Sequence, residues 1–265
     1  MVLFSLIFNL GLVLILYKMK KLTRSGAFAS LMLGFIVLGY GHLLFYILML
    51  SFLFSSLLIN KVIIRLIPNI KECVKDHEPR RWVNVLANGS WLGIASLVYY
   101  FNPSNVIIAL AIISMATATA DTWASEIGTL SLETPWTIIK RQTMTSGLSG
   151  GVTWLGLIAS LFGSLFITLI SLPVIISMNG WTLLSFVMGV FFTFAGFGGS
   201  LVDSILGELF QAKFKTTSHE IVEIMHHSSD VLISGVRWMD NHMVNFLSNV
   251  ITIALFTPLY SILIH

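Results

Sequence analysis

The sequence predicts an all-α fold: a polytopic integral membrane helix bundle of about eight transmembrane helices, forming one domain over residues 1–265. Three observations predict it. Hydrophobic residues fill 56% of the 265 positions and charged residues only 10%, against roughly 25% charged in a soluble domain, so there is too little charge to coat a water-facing surface. Mean hydropathy is +0.89. The apolar residues come in blocks close to the roughly 20 residues that a helix needs to cross a bilayer. The single cysteine, Cys73, excludes a disulfide scaffold and any CxxC zinc or redox site.

The blocks run, in order, over about 2–17, 25–41, 43–60, 83–101, 106–128, 150–172, 181–198 and 240–263. The first is short. Nothing basic precedes it and no small-residue cleavage site follows, so it reads as an uncleaved helix and not a signal peptide. The second and third form one apolar run too long for a single helix, and Gly39, Gly41 and His42 mark the turn between them. The remaining five are separated by polar or glycine-bearing segments. With eight spans, all fifteen Lys and Arg residues fall on one side. The positive-inside rule makes that side cytoplasmic, which puts both termini outside a multi-pass plasma (inner) membrane protein. The net charge of +3 then reports topology and gives no reason to expect nucleic acid as a partner. Membrane lipids are the expected surroundings, and the oligomeric state is left open.

Acids stand out in so apolar a chain. The fifth block ends Ala120-Asp121-Thr122-Trp123-Ala124-Ser125-Glu126-Ile127-Gly128, and Gly199-Ser200-Leu201-Val202-Asp203-Ser204-Ile205-Leu206-Gly207-Glu208 repeats its Asp-[Ser/Thr]-x-x-x-Glu spacing. An acid in a span is costly unless it is paired, hydrated or bound to metal; the bland alternative is acids at the rim facing water. Thr117, Asp121 and Ser125, four residues apart, predict one polar stripe. Both copies lie at or past the same end of an outside-to-inside span. The reading is therefore that Asp121, Glu126, Asp203 and Glu208 converge on one cation, and hard oxygen ligands suit Mg²⁺.

Other segments echo one another. Arg81-Trp82 precedes Asn84 and Asn88 as Arg237-Trp238 precedes Asn241, Asn245 and Asn249, which suggests an internal duplication around a shared site. Asp240 is read equally as a helix cap and as a member of the site. Lys140-Arg141 precede Ser149-Gly150-Gly151 at the expected start of the sixth helix. Free N–H groups and the positive dipole end favour an anion there, so these five residues are assigned to a nucleotide phosphate. The spacing is not that of a Walker A loop. Arg81 and Arg237, each beside an interfacial Trp, are assigned to a lipid phosphate. His219, Glu220, Glu223, His226 and His227 do not match a metal motif and are read as a solvated loop.

These residues together resemble the membrane family named domain of unknown function 92, which takes in phytyl-phosphate kinase. The resemblance covers about 20–260 and rests on Leu22-Thr23-Arg24-Ser25-Gly26, Val85-Leu86-Ala87-Asn88-Gly89, Asp121 to Gly128, Ser149-Gly150-Gly151-Val152, Gly199 to Ser204 and Trp238-Met239-Asp240-Asn241. The family's Pro-Gly turn before its Ser/Thr-Gly-Gly is missing; Thr143 to Leu148 stands there instead. The resemblance implies phosphorylation of an isoprenoid (phytyl or prenyl) monophosphate to the diphosphate by a nucleoside triphosphate, CTP or ATP, with Mg²⁺. Asp121, Glu126, Asp203 and Asp240 would be its catalytic residues. Lys140, Arg141, Ser149, Gly150, Gly151, Arg81, Asn84, Asn88, Ser204, Arg237, Asn241 and Asn245 would bind the substrates. Phosphoryl transfer depends mainly on metal, cations and alignment, which suits a site rich in acids, cations and glycine. The alternatives are a transporter or lipid flippase using the same acids, and nucleotidyl transfer to a lipid phosphate.

Overall fold

Between Ala111 and Ala120 every residue of the chain is buried, in a run built from Ala, Ser and Thr with few bulky side chains. Small residues let helix backbones approach closely, which is how helices associate where lipid removes the hydrophobic drive. The helix that carries this run, α5 (Asn105–Gly128), is accordingly central. In the computed structural model, which describes residues 2–66, 79–225 and 227–264, α5 packs against five of the seven other helices: α3 (Leu43–Leu66), α4 (Trp82–Phe101), α6 (Trp154–Asn179), α7 (Leu183–Leu209) and α8 (Asn241–Leu263). The other two, α1 (Val2–Lys18) and α2 (Arg24–Tyr40), form the flank, α2 against α4 and α1 against α2.

The eight helices among the described residues correspond one for one to the expected blocks. Five of them (α3, α5, α6, α7 and α8) are long and apolar enough to cross a membrane, while α1 and α2 are shorter apolar helices. Hydroxyl caps set several starts: Thr23 accepts from Gly26 N at 3.0 Å, Ser104 from Ile107 N, Thr153 from Gly156 N at 3.1 Å and Thr182 from Ser185 N. Several boundaries differ from expectation: α3 runs on to Leu66 rather than 60, and α6 to Asn179 rather than 172. The sixth helix starts at Trp154 rather than 150, because Thr153 is its cap and Gly151 is drawn into a strand. The seventh runs to Leu209 rather than 198. Its Gly196-Phe197-Gly198-Gly199 segment continues the helix, and these glycines are packing surfaces: a Cβ at Gly199 would run into the Thr117 side chain of α5.

Contacts between helix ends gather the C-terminal ends of α3, α5 and α7 with the N-terminal ends of α4 and α8 at one end of the bundle, here called the polar end. A bridge between Leu22 and Arg80 joins the α1–α2 turn to it. Two long connections cap this end and add what an all-helix reading leaves out. Residues 129–153 hold the antiparallel pair β1 (Trp136–Thr137) and β2 (Gly151–Val152), and residues 210–240 hold a small sheet in the order β4 (Ile221–Val222), β3 (Lys213–Lys215), β5 (Val231–Ser234). Lys71, Cys73, Lys75 and His226 lie outside the described residues.

Candidate functional site

At the polar end the carboxyl groups of Asp121 on α5 and Asp203 on α7 are neighbours, close enough to interact electrostatically. Asp203 is buried and its Oδ2 accepts from the Ser248 hydroxyl of α8 at 2.9 Å. The Asn245 amide completes the group. In one orientation its NH₂ donates to Asn88 Oδ1 at 3.5 Å. Turned over, it donates to Asn241 O at 2.8 Å and to Asp203 Oδ2 at 3.2 Å. Two segments that echo each other in sequence thus meet in space as pairs, Asp121 with Asp203 and Asn88 with Asn245. One turn deeper, Thr117 Oγ1 and Asn249 Oδ1 are buried without a hydrogen-bond partner among the described residues. Thr117 continues the stripe below Asp121, as expected, while Ser125 at its other end is exposed and donates to Thr122 O.

Glu126 does not join this pair. It accepts from Ser56 Oγ at 2.6 Å and Asn60 Nδ2 at 3.0 Å, both on α3. The Ser56 hydroxyl in turn accepts from Arg80 Nη2 at 2.8 Å, and the Arg80 guanidinium lies 5.3 Å from the Phe52 ring centroid. Burial pulls the Arg80 guanidinium below the usual arginine range while the Glu126 carboxylate works to hold it up. The backbone around Arg80 is fixed as well: its N–H donates to Lys21 O and its carbonyl accepts from Thr23 N. Gly26 is needed there, since any Cβ at that position would strike the Arg80 carbonyl. This explains the Thr23-Arg24-Ser25-Gly26 motif.

Glu208 is also elsewhere. It is buried at the end of α7 and accepts from the backbone N–H of Ile139 at 2.9 Å and of Lys140 at 2.8 Å. The expected convergence of four carboxylates is therefore corrected to one pair with two divergent neighbours. Among the described residues no three His, Cys, Asp or Glu side chains cluster as a metal cage.

The glycine loop is corrected too. Ser149-Gly150-Gly151 precedes the start of α6 by several residues and is not its N-terminus. Gly150, at φ +89°, lies so close to Glu208 that a Cβ would collide with its backbone. The Ser149 N–H and hydroxyl both donate to the Glu223 carboxylate, and Gln211 Nε2 donates to Ser149 Oγ at 2.9 Å. Glu223 therefore serves this loop and is more than part of a solvated stretch. Beside it lies Lys213, buried on β3. Burial lowers its pKa from the ordinary lysine value, Glu223 and Glu208 raise it, and Lys140 lowers it further.

Of the other expected residues, Asp240 is the N-cap of α8, accepting from Met243 N at 2.9 Å. Arg81 and Arg237 are exposed, as are Lys140, Arg141 and Asn241. Asn84 sits in the first turn of α4, its Oδ1 accepting from Arg81 N at 2.8 Å, and Ser204 donates to Ser200 O at 3.2 Å on its own helix. Sequence reading missed Arg80, Ser56, Asn60, Lys213, Glu223 and Ser248. Arg80 had a legible neighbour: of the Arg80-Arg81 dipeptide, it is the first member that turns inward.

Residues 7–253 match the family described as integral membrane protein DUF92. An uncharacterised membrane protein of Methanocaldococcus jannaschii is 31% identical over 203 residues, covering 76% of this chain and 80% of its own. Protein PGR of Arabidopsis thaliana is 31% identical over 261 residues, covering 89% of this chain and 88% of its own. No solved structure matches. With its family match spanning nearly the whole chain and relatives covered along most of their length, the chain belongs to the DUF92 family of integral membrane proteins.

Proposed function

We propose that this protein is a membrane phosphotransferase that converts an isoprenoid monophosphate to its diphosphate with a nucleoside triphosphate, CTP or ATP, at a cytoplasmic polar end. The observation that carries this reading is the Asp121–Asp203 pair, with Asp203 buried and Asp121 half-buried. Two carboxyl groups in contact hold a proton between them or a cation in its place. The oxygens the site could offer a cation are hard ones: two carboxyls, and one turn deeper the unpartnered Thr117 hydroxyl and Asn249 amide carbonyl. That set fits Mg²⁺, which takes one or two carboxylates and completes its shell with water and phosphate oxygens. Bound there, the ion would neutralise the charge of the transferring phosphoryl group.

The chain's own residues supply the rest. A phosphate monoester has its second pKa near ~6, so the acceptor oxygen is already largely ionised at neutral pH and needs no strong base. That oxygen forms a bond to the γ-phosphorus, the bond from this phosphorus to the β–γ bridging oxygen breaks, and the nucleoside diphosphate leaves. Lys140, Arg141 and Lys213 face the polyphosphate. Asn245 and Ser248 orient Asp203. The concentration of basic residues at the polar end supports a cytoplasmic location for that end, in a plasma membrane.

The test is purified protein in nanodiscs with Mg²⁺ and geranylgeranyl or phytyl monophosphate, given each nucleotide labelled at either the α or the γ phosphorus. Label from the γ position in a lipid diphosphate is the expected result. Label from the α position means nucleotidyl transfer, and absence of transfer from any nucleotide overturns the reading. A second reading, cation- or proton-coupled transport, would use the same carboxyl pair. It requires isoprenoid-phosphate flux across a vesicle without nucleotide.

A further inference from the structure

The small sheet in the 210–240 connection carries apolar side chains on both of its faces. Its register puts Ile221, Lys215 and Val231 in one row and Val222, Phe214 and Leu232 in the next, and successive rows face opposite sides of a sheet. In a sheet with one face in water, the covered row is apolar and the open row polar. Here the covered row is as expected: Phe214 is 4% exposed, with Val222 and Leu232 half-buried beside it. The open row is not, since Val231 is 63% exposed and Ile221 42%. A register shift between Lys213 and Phe214 leaves Ile233 without a partner on β3, and it is 48% exposed.

The place of this open face says what meets it. The sheet hangs directly on two spans: α7 ends at Leu209 and β3 begins at Lys213, while β5 ends at Ser234 and α8 begins at Asn241. Its base is tied across, with Val236 N donating to Phe210 O and Ala212 N to Met239 O. Leu209, Phe210, Val236 and Trp238 are exposed at this base, and Phe194 is exposed on α7. At about 100° per residue Leu209 comes within about 60° of Phe194 around that helix. An apolar strip therefore continues from the lipid-facing side of α7, through the base, onto β5. Exposed apolar surface of this kind marks an interaction or a membrane, and this strip begins where a span ends. A Trp ring settles at headgroup level, and Lys and Arg stems lie along apolar surface while their charged heads reach out of it. Arg237 beside Trp238, and Lys215 in the middle of the open row, are all exposed and supply that pairing. The exposed acids nearby stand outside the row, Glu220 in the turn before β4 and Asp240 as the cap of α8.

We infer that the open face of the β4-β3-β5 sheet is seated on the headgroup layer of the membrane at the polar end of the bundle, with Ile221, Val231 and Ile233 at the acyl boundary and Lys215 and Arg237 on lipid phosphates. The strand that carries Lys213, beside the contact between Ser149 and Glu223, is thereby held by the bilayer from its far side. This seat is independent of the phosphotransferase reading. A protein on the same face is the competing outcome.

The experiment places spin labels on the full chain in phospholipid nanodiscs. It measures their collisions with molecular oxygen, which concentrates in the acyl region, and with a nickel chelate, which stays in water. In a Cys73→Ser background, which has no other cysteine, single cysteines replace Ile221, Val231 and Ile233 on the open face. Two references are Phe194, exposed on α7, and Ser218, exposed between β3 and β4. The labels at the three face positions should follow the label at Phe194, with high oxygen and low nickel access, while the label at Ser218 shows the reverse. Val231→Glu together with Ile233→Glu should lift the sheet and raise nickel access at Ile221 about threefold or more, because seating at an interface scales with buried apolar area.

Nickel access at Val231 and Ile233 equal to that at Ser218 puts the face in water and overturns the seat. Labels immobilised and shielded from both reagents mean that protein covers the face, and overturn it as well. Both readings come from single-label chains and hold whether or not the double Glu variant folds. In a folded double variant, unchanged nickel access at Ile221 overturns it too. No nucleotide or isoprenoid phosphate enters these measurements, so their failure leaves the phosphotransferase reading standing, and absence of phosphoryl transfer leaves the seat standing.

Discussion

The segments Asp121 to Glu126 and Asp203 to Glu208 carry the same spacing on two helices, yet their acids behave in opposite ways. The aspartates meet; the glutamates part, Glu126 toward Ser56, Asn60 and Arg80 and Glu208 toward the backbone of Ile139 and Lys140. Helix geometry demands this. Five residues at 3.6 per turn carry a side chain about 140° past its starting face, so a helix that aims its Asp at a partner must aim the Glu away from it. A repeated motif on two helices therefore yields one shared site and two different flanks. One flank stitches in the α3–α4 side of the bundle. The other anchors the loop over the end of α7.

The comparison breaks most sharply at the shared pair. Asp121→Asn and Asp203→Asn should each lower phosphoryl transfer about a thousandfold, the scale of losing a preorganised electrostatic group. Each should leave insertion and melting temperature near normal, because an amide still fills the space and bonds its neighbour. Near-wild-type turnover of either variant at limiting Mg²⁺ would remove that residue from the site.

The Glu126 flank comes next. Its carboxylate faces Arg80 through Ser56, and removing one member of a half-buried charged pair leaves the other partly uncompensated, at a cost below that of breaking a fully buried pair. Glu126→Ala should cost about 2–3 kcal/mol of stability, read as a lowered melting temperature, and Arg80→Met in the same chain should restore part of it. If the double variant is no more stable than the single, the two charges are not coupled.

How much of this was legible follows from the same geometry. The helix count and the polar end could be read because apolar length and basic-residue position are properties of the linear chain. The Asp121–Asp203 contact was legible through the repeated spacing and the small residues around it. The fate of the glutamates was not, because the motif gives a spacing and the 140° rotation sends each to whatever neighbour stands there. Trp82 beside Arg81 marks that arginine as interfacial in the sequence, while the register that turns Arg80 inward is set by its bridge to Leu22, a contact no local pattern reveals. Lys213 sits on the short strand β3 and Glu223 just after β4, in a long connection where neither a period nor a hydrophobic block marks burial. The glycine loop was read as a helix start because Ser-Gly-Gly resembles one; Thr153 holds the cap instead.

The Glu208 flank should respond more mildly. Its two oxygens accept two separate backbone N–H groups, and Glu208→Gln can keep only one acceptor. A loss of about 1–2 kcal/mol is expected, together with a KM for nucleotide raised severalfold because Lys140 is no longer held. A change in lipid KM alone would show that the loop serves the other substrate.

The smallest effect tests what occupies the loop before a nucleotide does. Glu223 takes both the N–H and the hydroxyl of Ser149 and lies within the electrostatic reach of Lys213. On the phosphotransferase reading these are the groups a phosphate would use, so Glu223 would compete with it for the same donors and the same cation. Glu223→Gln removes the negative charge but keeps an acceptor for Ser149, so the loop stays in place while Lys213 becomes free to attract an anion. The expected outcome is a KM for nucleotide lowered about two- to fivefold with kcat unchanged, since uniform binding is all that is altered. The gain should shrink as salt is raised. Glu223→Ala, which keeps no acceptor, should lose that benefit as the loop loosens. If Gln and Ala both raise the KM for nucleotide, Glu223 supports the nucleotide site and does not compete with its ligand.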